Sequence, residues 1–265
     1  GKSLADASRI RQVASHISAT RRSGNQVVVV VSAMGDATDD LISLAEQVTD
    51  SPDSREMDVL LSTGELVSSA LVVVALQALG DKAISLSGEQ AGIRTDTDHR
   101  KAKIASVISD RVKQELDNGN IVVIAGFQGV SKEIRITTLG RGGSDLSAVA
   151  IAKFFKTDFC EIYTDVEGVL TTDPSINENA KKIEKISYEE MLEMASLGAK
   201  VMQPNAVQTS MIDNIPIHVR STFSENSGTK IISENEIDNK KVVTGIAYSK
   251  GNAKVSIIGV VDKPG

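Results

Sequence analysis

The sequence predicts an α/β fold built around a mainly parallel sheet. Residues 27–31 are an unbroken run of valines, as expected of a strand that is buried on both faces, and residues 121–124 form a second apolar run of this kind. Segments with helical periodicity lie between the apolar runs. Strands that alternate with helices are typical of a parallel sheet covered by helices.

The remaining elements follow in chain order. Helical periodicity predicts helices over residues 39–48, 57–79 and 102–117. Further strands are expected at residues 134–138, where polar and apolar side chains alternate, and at residues 161–164, before a polar loop. Between these strands, Ser144 or Asp145 is expected to cap a helix that carries the apolar side chains Leu146, Val149, Ile151, Phe154 and Phe155.

The C-terminal part of the sequence predicts the beginning of a second unit. Residues 224–241 are rich in Asn and Glu and are interpreted as a linker or a surface excursion. Residues 242–248 and 254–261 have the apolar pattern of strands. Because the chain starts at Gly1 without a methionine and stops just after the last of these strands, we expect it to be a fragment.

Composition excludes several classes of protein. The 265 residues are 41% hydrophobic and 24% charged, as in an ordinary globular protein with a full core. A formal net charge of −6 argues against a general nucleic-acid binder, which needs a basic surface. The single Cys160 cannot form a disulfide framework or a cysteine metal site. We identify no apolar stretch of membrane length and no signal peptide, and we therefore expect a cytoplasmic protein without a membrane partner.

The strongest chemical signal is the glycine-rich loop at residues 140–145. It follows a predicted strand and precedes a helix, so its backbone N–H groups and the helix N-terminus are suited to an anion, either a carboxylate or a phosphate. Arg141 can bind a carboxylate through two hydrogen bonds. The alternative is a tight turn that ends in a polar helix cap.

An acidic loop at residues 163–174 is a second candidate site. Thr164 and Asp165 follow the end of a predicted strand, which is where open α/β sheets bind ligands. Contacts with a magnesium-bound nucleotide or its ribose fit this position. A solvated loop without a ligand is the alternative.

Other polar residues stand at the ends of predicted elements. Ser32 and Thr38 follow the valine strand, where they could hold a small substrate or simply cap a helix. Glu65 interrupts an apolar helix, and its burial would be unfavourable without a cation or a substrate amine, although a surface position is the simpler interpretation. Lys200 stands after a helix, where it could stabilise the helix dipole or bind ATP phosphates.

Taken together and in this order, these segments resemble the aspartokinases of the amino-acid kinase superfamily. The resemblance covers essentially the whole chain and rests on residues 32–38, 62–65, 125–129, 137–145, 163–174 and 190–201. It implies a three-layer sandwich around a mainly parallel sheet. Residues 1–232 are expected to form the catalytic domain without its first strand, and residues 233–265 a linker and the truncated start of an ACT-type α+β regulatory domain.

The resemblance implies transfer of the γ-phosphate of Mg-ATP to the side-chain carboxylate of L-aspartate, the first step towards lysine, threonine and methionine. Substrate-binding positions are Ser32, Thr38, Glu65, Arg141, Gly142, Gly143 and Ser144. Of these, Arg141 is expected to bind a substrate carboxylate, and Glu65 the α-amino group.

The resemblance also assigns the nucleotide side of the site. Nucleotide-binding positions are Gly1, Thr164, Asp165, Lys200 and Val201. Catalytic roles fall to Lys200, Asp145 and Asp165, with Mg²⁺ brought by ATP rather than by a set of protein metal ligands. The resemblance further implies a homo-oligomer and an amino-acid feedback effector that binds the ACT region.

Three cationic positions of the family differ here. The family's N-terminal Lys-Phe-Gly-Gly lysine would precede Gly1, and Lys2 cannot be assumed to replace it. Ser175 and Asn205 stand where basic residues are frequent. These differences leave two alternatives open: a non-catalytic subunit that binds aspartate or a nucleotide, and a superfamily kinase that acts on another substrate.

Overall fold

The computed structural model describes residues 1–199, 201–237 and 243–248. The helices are α1 Ala7–Arg22, α2 Ala37–Val48, α3 Ser54–Ala78, α4 Asp110–Asp117, α5 Gly143–Phe155, α6 Tyr188–Ser196 and α7 Pro204–Asp213. The strands are β1 Val28–Val31, β2 Ala83–Leu86, β3 Ile93–Thr95, β4 Ile104–Val107, β5 Ile121–Ala125, β6 Gln128–Ser131, β7 Ile136–Thr138, β8 Cys160–Thr164, β9 Lys185–Ser187, β10 Ile217–Ser221 and β11 Thr229–Ile232. Short 3₁₀ turns lie at Lys2–Leu4 and Glu234–Glu236.

The described strands form three sheets in which parallel pairing predominates. One sheet has the order β1-β5-β2 and is entirely parallel. A second has the order β8-β10-β11-β9, and a third the order β4-β3-β6-β7. Antiparallel pairs occur between β10 and β11, β3 and β4, and β6 and β7. The predicted α/β class with mainly parallel strands is therefore confirmed, although the strands are divided among separate sheets.

Helices cover both faces of the sheet around β5, whose five residues are all buried. Ile121 and Val123 point to one face and pack in a cluster with residues of α1 and α3. Val122 and Ile124 point to the other face and pack with α4 and α5. Because successive side chains of a strand point to opposite faces, a continuous apolar run is what a sheet between two helical layers requires.

Helix α5 joins this part of the protein to the second sheet. Its Ile151 belongs to the cluster beneath β5, whereas its Val149 packs in the core around β8, β9, β10 and β11. Ile186 and Ile217 are fully buried in that second core. The N-terminus of α5, which follows the glycine-rich loop, is therefore held between the two halves of the domain.

Several predicted boundaries are wrong for identifiable reasons. Residues 102–117 are not one helix, because β4 pairs with β3 before α4 begins at Asp110. Neither Ser144 nor Asp145 caps α5, because the capping position is two or three residues earlier, at Gly142 in the left-handed region. A Cβ atom at Gly142 would lie 2.0 Å from Cγ of Gln203, so only glycine fits there.

The C-terminal prediction is also corrected. Residues 224–241 are not simply a linker, because they contain β11, which pairs with both β10 and β9. Residues 243–248 form no strand; instead the N–H of Ile246 donates to the carbonyl oxygen of Thr171 at 2.8 Å. The strand predicted at residues 254–261, and with it most of the expected ACT region, lies outside the described residues.

Helix α3 bears on the predicted absence of an apolar stretch of membrane length. Within the described chain it is long and apolar enough to cross a membrane, so the expectation that no stretch reaches membrane length is wrong by length and composition. Half of its most apolar window is nevertheless buried inside the protein, and its buried face carries Asp58 and Glu65. These features are typical of a core helix in a globular domain.

Candidate active site

The site begins where β1 and β5 end side by side. These strands pair in parallel up to Val31 and Ala125, so Ser32 and Gly126 leave the sheet at the same carboxyl edge. Ligands of α/β proteins bind at such edges. A Cβ atom at Gly126 would lie 2.9 Å from Cβ of Ser144 and 2.9 Å from the carbonyl oxygen of Val31, so the start of α5 is packed directly against this edge.

Glu65 lies at this edge and is only 3% exposed. Its Oε1 accepts a hydrogen bond of 3.0 Å from the N–H of Ala33, the residue after Ser32. Its Oε2 is buried and has no hydrogen-bond partner among the described residues. Burial raises the pKa of Glu65 to about 7. An oxygen of this kind is suited to a positively charged group that enters with a ligand.

Small residues of α3 allow this helix to pack closely against the loop that follows β1. A Cβ atom at Gly64 would lie 2.9 Å from Cβ of Ala33, so the helix lies almost against the loop that follows β1. The hydroxyl of Ser68 donates to the carbonyl oxygen of Ser32 at 2.8 Å. The position of Glu65 is therefore fixed by the packing of α3 on the end of β1.

The N-terminal residues line the same edge. The amino group of Gly1 donates to the carbonyl oxygen of Ala33, and Gly1 also lies beside Ser32. The N–H of Gly35 donates to the carbonyl oxygen of Gly1 at 3.2 Å. Thr38 follows in the first turn of α2 and is half-buried. Gly1, Ser32 and Glu65 thus lie together, with Thr38 on the adjoining turn, although Gly1 was predicted on the nucleotide side.

The glycine-rich loop combines a turn with an exposed cation. Gly140 and Gly142 have φ values of 75° and 73°, which favour glycine. Between them, Arg141 is exposed and lines a groove of about 910 Å³ together with Lys101 and Gln203. Gly143 is buried, and its carbonyl oxygen accepts a hydrogen bond of 2.8 Å from Ser147. The structure records no contact between Arg141 and Glu65 among the described residues.

Asp145 lies in the first turn of α5 and is half-buried. Burial raises the pKa of its carboxyl group to about 6. Among the residues that the structure describes, Asp145 has neither a hydrogen bond nor an ion pair. A dehydrated carboxylate without a partner favours the arrival of a cation, which would stabilise its ionised form.

A second group of predicted residues meets at the ends of β8 and β10. The ammonium of Lys2 pairs with Oδ2 of Asp165 at 2.9 Å, and this hydrogen bond lowers the pKa of Asp165. The hydroxyl of Thr164 donates to Oδ1 of Asp165 at 3.2 Å. Lys2 was not predicted as a partner of this loop. The available signal was a cation near the N-terminus and an acidic loop elsewhere in the chain.

The two remaining predicted nucleotide-side residues are Val201 and Lys200. Val201 is half-buried and packs against the core around β8 and β10. Lys200 lies outside the described residues. Ser175, one of the positions without a basic residue, donates from its N–H and its hydroxyl to Oδ1 of Asp173 at 2.8 and 2.7 Å. Asn205 lies in the first turn of α7 and lines the groove beside Arg141.

Substitution of Gly126 by Ala is expected to distort the site. The added methyl group would lie 2.8 Å from Cγ1 of Val30 and equally close to Ser144, so β1 or the start of α5 must move. Overpacking of this kind costs about 1–3 kcal/mol of unfolding free energy. Urea unfolding of Gly126→Ala measures the loss. A variant as stable as the parent protein would contradict this close packing.

The comparisons point to one family. The chain matches the amino acid kinase family over residues 1–221. It is 50% identical over 270 residues to the aspartokinase of Mycolicibacterium smegmatis, and 50% identical over 268 residues to that of Corynebacterium glutamicum. Each alignment covers 100% of this chain and 64% of the relative, so the chain spans less than two thirds of these proteins.

Two solved structures are similar over most of the chain. Aspartate kinase from Synechocystis is 50% identical, with a TM-score of 0.79, and the match covers 88% of this chain and 39% of that one. E. coli aspartokinase III in complex with aspartate and ADP is 26% identical, also with a TM-score of 0.79, and the match covers 89% of this chain and 64% of that one.

Proposed function

Because the chain belongs to the amino acid kinase family, we propose that it transfers the γ-phosphoryl group of ATP to the side-chain carboxylate of L-aspartate, forming 4-phospho-L-aspartate. The observation that carries this proposal is the buried Oε2 of Glu65 at the carboxyl edge of β1, which has no hydrogen-bond partner among the described residues. The identity to aspartokinases over the whole chain, and the aspartate and ADP bound to the similar E. coli enzyme, support the choice of substrates.

Two charged side chains, Glu65 and Arg141, bind the amino acid in this proposal. Glu65 binds the α-ammonium group of L-aspartate, because its Oε2 has no partner in the described part of the chain and a cation restores its ionised form. Arg141 binds a carboxylate of the substrate. Ser32 and Thr38 frame the pocket on one side, and the backbone of Gly142, Gly143 and Ser144 frames it on the other, at the N-terminus of α5.

The nucleotide lies across Gly1, Thr164, Asp165, Lys200 and Val201 in this proposal. The described residues contain no cluster of three or more His, Cys, Asp or Glu side chains that could hold a metal ion. Mg²⁺ enters with the ATP phosphates in this proposal and needs only one or two carboxylates from the protein. Asp145 is suited to this role or to a lysine partner, because its carboxylate is dehydrated and has no described partner.

The proposed site residues promote phosphoryl transfer mainly by positioning the two substrates and by placing positive charge beside them. Both substrates are anionic, so the reacting carboxylate and the phosphates repel each other until cations lie between them. The magnesium ion supplies part of this neutralising charge when it is bound. Lys200 and Lys2 supply cations on the nucleotide side, where Lys2 already pairs with Asp165. Glu65 and Arg141 fix the orientation of the amino acid, leaving its side-chain carboxylate as the acceptor.

Aspartate binding is expected to strengthen as the pH rises from 6 to 8. The pKa of Glu65 is about 7 in the free protein, so the protonated form, which cannot bind an ammonium group, predominates below this value. The affinity should fall up to about tenfold per pH unit below 7 and level off above it. Titration calorimetry at several pH values and in two buffers measures the affinity and the proton released. Glu65→Gln should remove this dependence, and a dependence that persists would contradict the assignment.

The proposal extends to the domain organisation. Residues 1–232 form the catalytic domain, since β11 ends at Ile232 and completes the second sheet. Residues 233–265 form a linker and the start of an ACT regulatory domain, which binds an amino-acid feedback effector; one structure of E. coli aspartokinase III contains lysine as well as aspartate. We place the protein in the cytoplasm, where ATP and L-aspartate are available, without a nucleic-acid partner.

We further propose that the protein forms a homo-oligomer through an exposed apolar face of α3. The outer face of α3 exposes Leu66, Val67, Leu71 and Val74, and residues 66–80 contain no charged residue. An uncharged apolar stripe can pack against its own copy about a twofold axis without placing like charges together. Val67→Lys with Val74→Lys should dissociate the oligomer in sedimentation experiments, whereas an oligomer of unchanged size would contradict this interface.

A substrate panel tests the proposed activity. Release of ADP by the intact protein is measured with Mg-ATP and, in turn, L-aspartate, D-aspartate, L-glutamate, L-asparagine, succinate and uridine monophosphate. The proposal predicts release with L-aspartate and little with succinate, which has no ammonium group for Glu65. Equal release without any amino acid, or preference for another acceptor, would contradict it.

A further inference from the structure

Asp58 is a buried carboxylate that the proposed reaction does not use. It lies on α3 and has no exposed surface. Its oxygens accept hydrogen bonds from Nδ1 of His99 at 2.6 Å, from the hydroxyl of Thr138 at 2.5 Å, and from the N–H of Arg100 at 3.0 and 3.2 Å. No lysine or arginine side chain pairs with it among the described residues. A buried carboxylate is unfavourable unless hydrogen bonds satisfy its oxygens, and here those bonds tie Asp58 to His99, Thr138 and the backbone of Arg100.

The groups that Asp58 holds lie directly beneath the glycine-rich loop. Arg100 has a φ of 67°, a left-handed conformation that is unusual for arginine and that the hydrogen bond to Asp58 stabilises. A Cβ atom at Gly140 would lie 3.1 Å from the carbonyl oxygen of Arg100, so this turn supports the loop from below. Thr138, the last residue of β7, accepts a hydrogen bond of 2.9 Å from the N–H of Ala102 through its carbonyl oxygen.

Asp58 and Glu65 lie on the same buried face of one helix. They are seven residues apart, which is almost two full turns, so the two carboxylates are about 10 Å apart along the axis of α3. Glu65 contacts the end of β1, and Asp58 contacts the end of β7 and the turn at His99 and Arg100. The rigid helix therefore sets the distance between the β1 edge and the loop that carries Arg141.

We propose that Asp58, together with His99, is a positioning pair that fixes the Arg141 loop relative to Glu65 and so sets how tightly the site binds its amino-acid substrate. The proposal rests on the proposed function, in which Glu65 binds the ammonium group and Arg141 a carboxylate. Neither Asp58 nor His99 contacts the substrate. Their effect passes through the left-handed turn at Arg100 and through Thr138.

The main variant is Asp58→Asn, which keeps the shape of the side chain but loses the charge and one acceptor oxygen. The expected result is a rise of at least about tenfold in KM for L-aspartate, with KM for ATP changed less than about twofold. Glu115→Gln is the matched control, because Glu115 of α4 is also buried and accepts hydrogen bonds from Arg111 of the same helix and from Asn120 just after it.

A pair of substitutions at His99 separates positioning from simple packing. In His99→Asn, the side-chain amide nitrogen can take the place of Nδ1 and donate to Asp58, so KM for L-aspartate should stay near the parent value. In His99→Leu no donor remains, and KM should rise as in Asp58→Asn. If both His99 variants behave alike, or if Asp58→Asn changes KM no more than Glu115→Gln, the proposal is overturned.

Hydrogen exchange gives a readout that does not depend on the substrate. In the intact protein, Asp58→Asn should speed amide exchange in peptides covering residues 98–102 and 139–143, and Glu115→Gln should not. Faster exchange in a protein that does not phosphorylate L-aspartate would contradict the proposed function while supporting the positioning of the loop. Normal exchange and an unchanged KM in an active protein would contradict the positioning role alone.

Discussion

Substitution of Glu65 by Gln is expected to lower kcat/KM for L-aspartate by roughly 100- to 1,000-fold, because truncating one partner of a buried charge pair costs about 2–5 kcal/mol. Gln can still accept the hydrogen bond from the N–H of Ala33, so the local structure is retained. The lost feature is the negative charge that faces the ammonium group. Steady-state kinetics with varied L-aspartate and saturating ATP measure the effect, and KM for ATP should change little.

The same variant makes a prediction about stability that separates charge from misfolding. The pKa of Glu65 is about 7 in the folded protein and near its ordinary value of 4.5 in the unfolded chain, so the folded state holds the extra proton between these values. Stability therefore falls as the pH rises from about 4.5 to 7, by ~3 kcal/mol from this group. Glu65→Gln should remove this loss and be more stable than the parent at pH 8.

Glu115→Gln again serves as the control, since it removes a buried carboxylate that pairs with Arg111 outside the site. We expect it to reduce stability without changing KM for L-aspartate. If Glu65→Gln keeps the parent kcat/KM for L-aspartate, Glu65 does not bind the substrate amine. If Glu65→Gln loses activity and its KM for ATP also rises strongly, the loss would indicate general damage to the fold.

Substitution of Arg141 by Ala is the second large effect. We expect kcat/KM for L-aspartate to fall roughly 100-fold or more, since a guanidinium that binds a carboxylate through two hydrogen bonds contributes several kcal/mol. Arg141→Lys should recover only part of this, because lysine keeps the charge but not the planar pair of donors. Arg141 is exposed, so the unfolding free energy should change by less than about 0.5 kcal/mol.

Arg135 provides the matched control. It is an exposed arginine in the same part of the chain, 3.8 Å from Glu133, and it lies just before β7. Arg135→Ala should leave both KM values unchanged. Equal losses in Arg141→Ala and Arg135→Ala would mean that the effect comes from the net charge of this region rather than from a contact with the substrate.

The elements that sequence reasoning located best are those with local signals. The strand over residues 121–124 was predictable because all five residues of β5 are buried and must be apolar. β4 was missed because four residues with mixed exposure show neither a clear alternation nor an unbroken apolar run. β11 was missed because it is short and follows a polar stretch, and its pairing with β10 and β9 is a tertiary feature.

The site residues likewise divide into those with local sequence signals and those that only tertiary contacts reveal. Glu65 and the glycine-rich loop were identifiable, since a carboxylate in an apolar helix and glycines before a helix are local anomalies. Asp58 was not, because its partners His99 and Thr138 are 41 and 80 residues away in the chain, and only the packed structure brings them together. The pairing of Lys2 with Asp165 spans 163 residues and was equally inaccessible.

The most direct test of the proposed function is identification of the product formed in the presence of hydroxylamine. An acyl phosphate on the side-chain carboxylate of L-aspartate reacts with hydroxylamine and gives the β-hydroxamate, which mass spectrometry and comparison with synthetic α- and β-hydroxamates identify. The proposal predicts that the intact protein with Mg-ATP and L-aspartate forms the β-hydroxamate in step with ADP, and that Glu65→Gln forms almost none. Formation of the α-hydroxamate, or of ADP without any hydroxamate, would contradict transfer to the side-chain carboxylate.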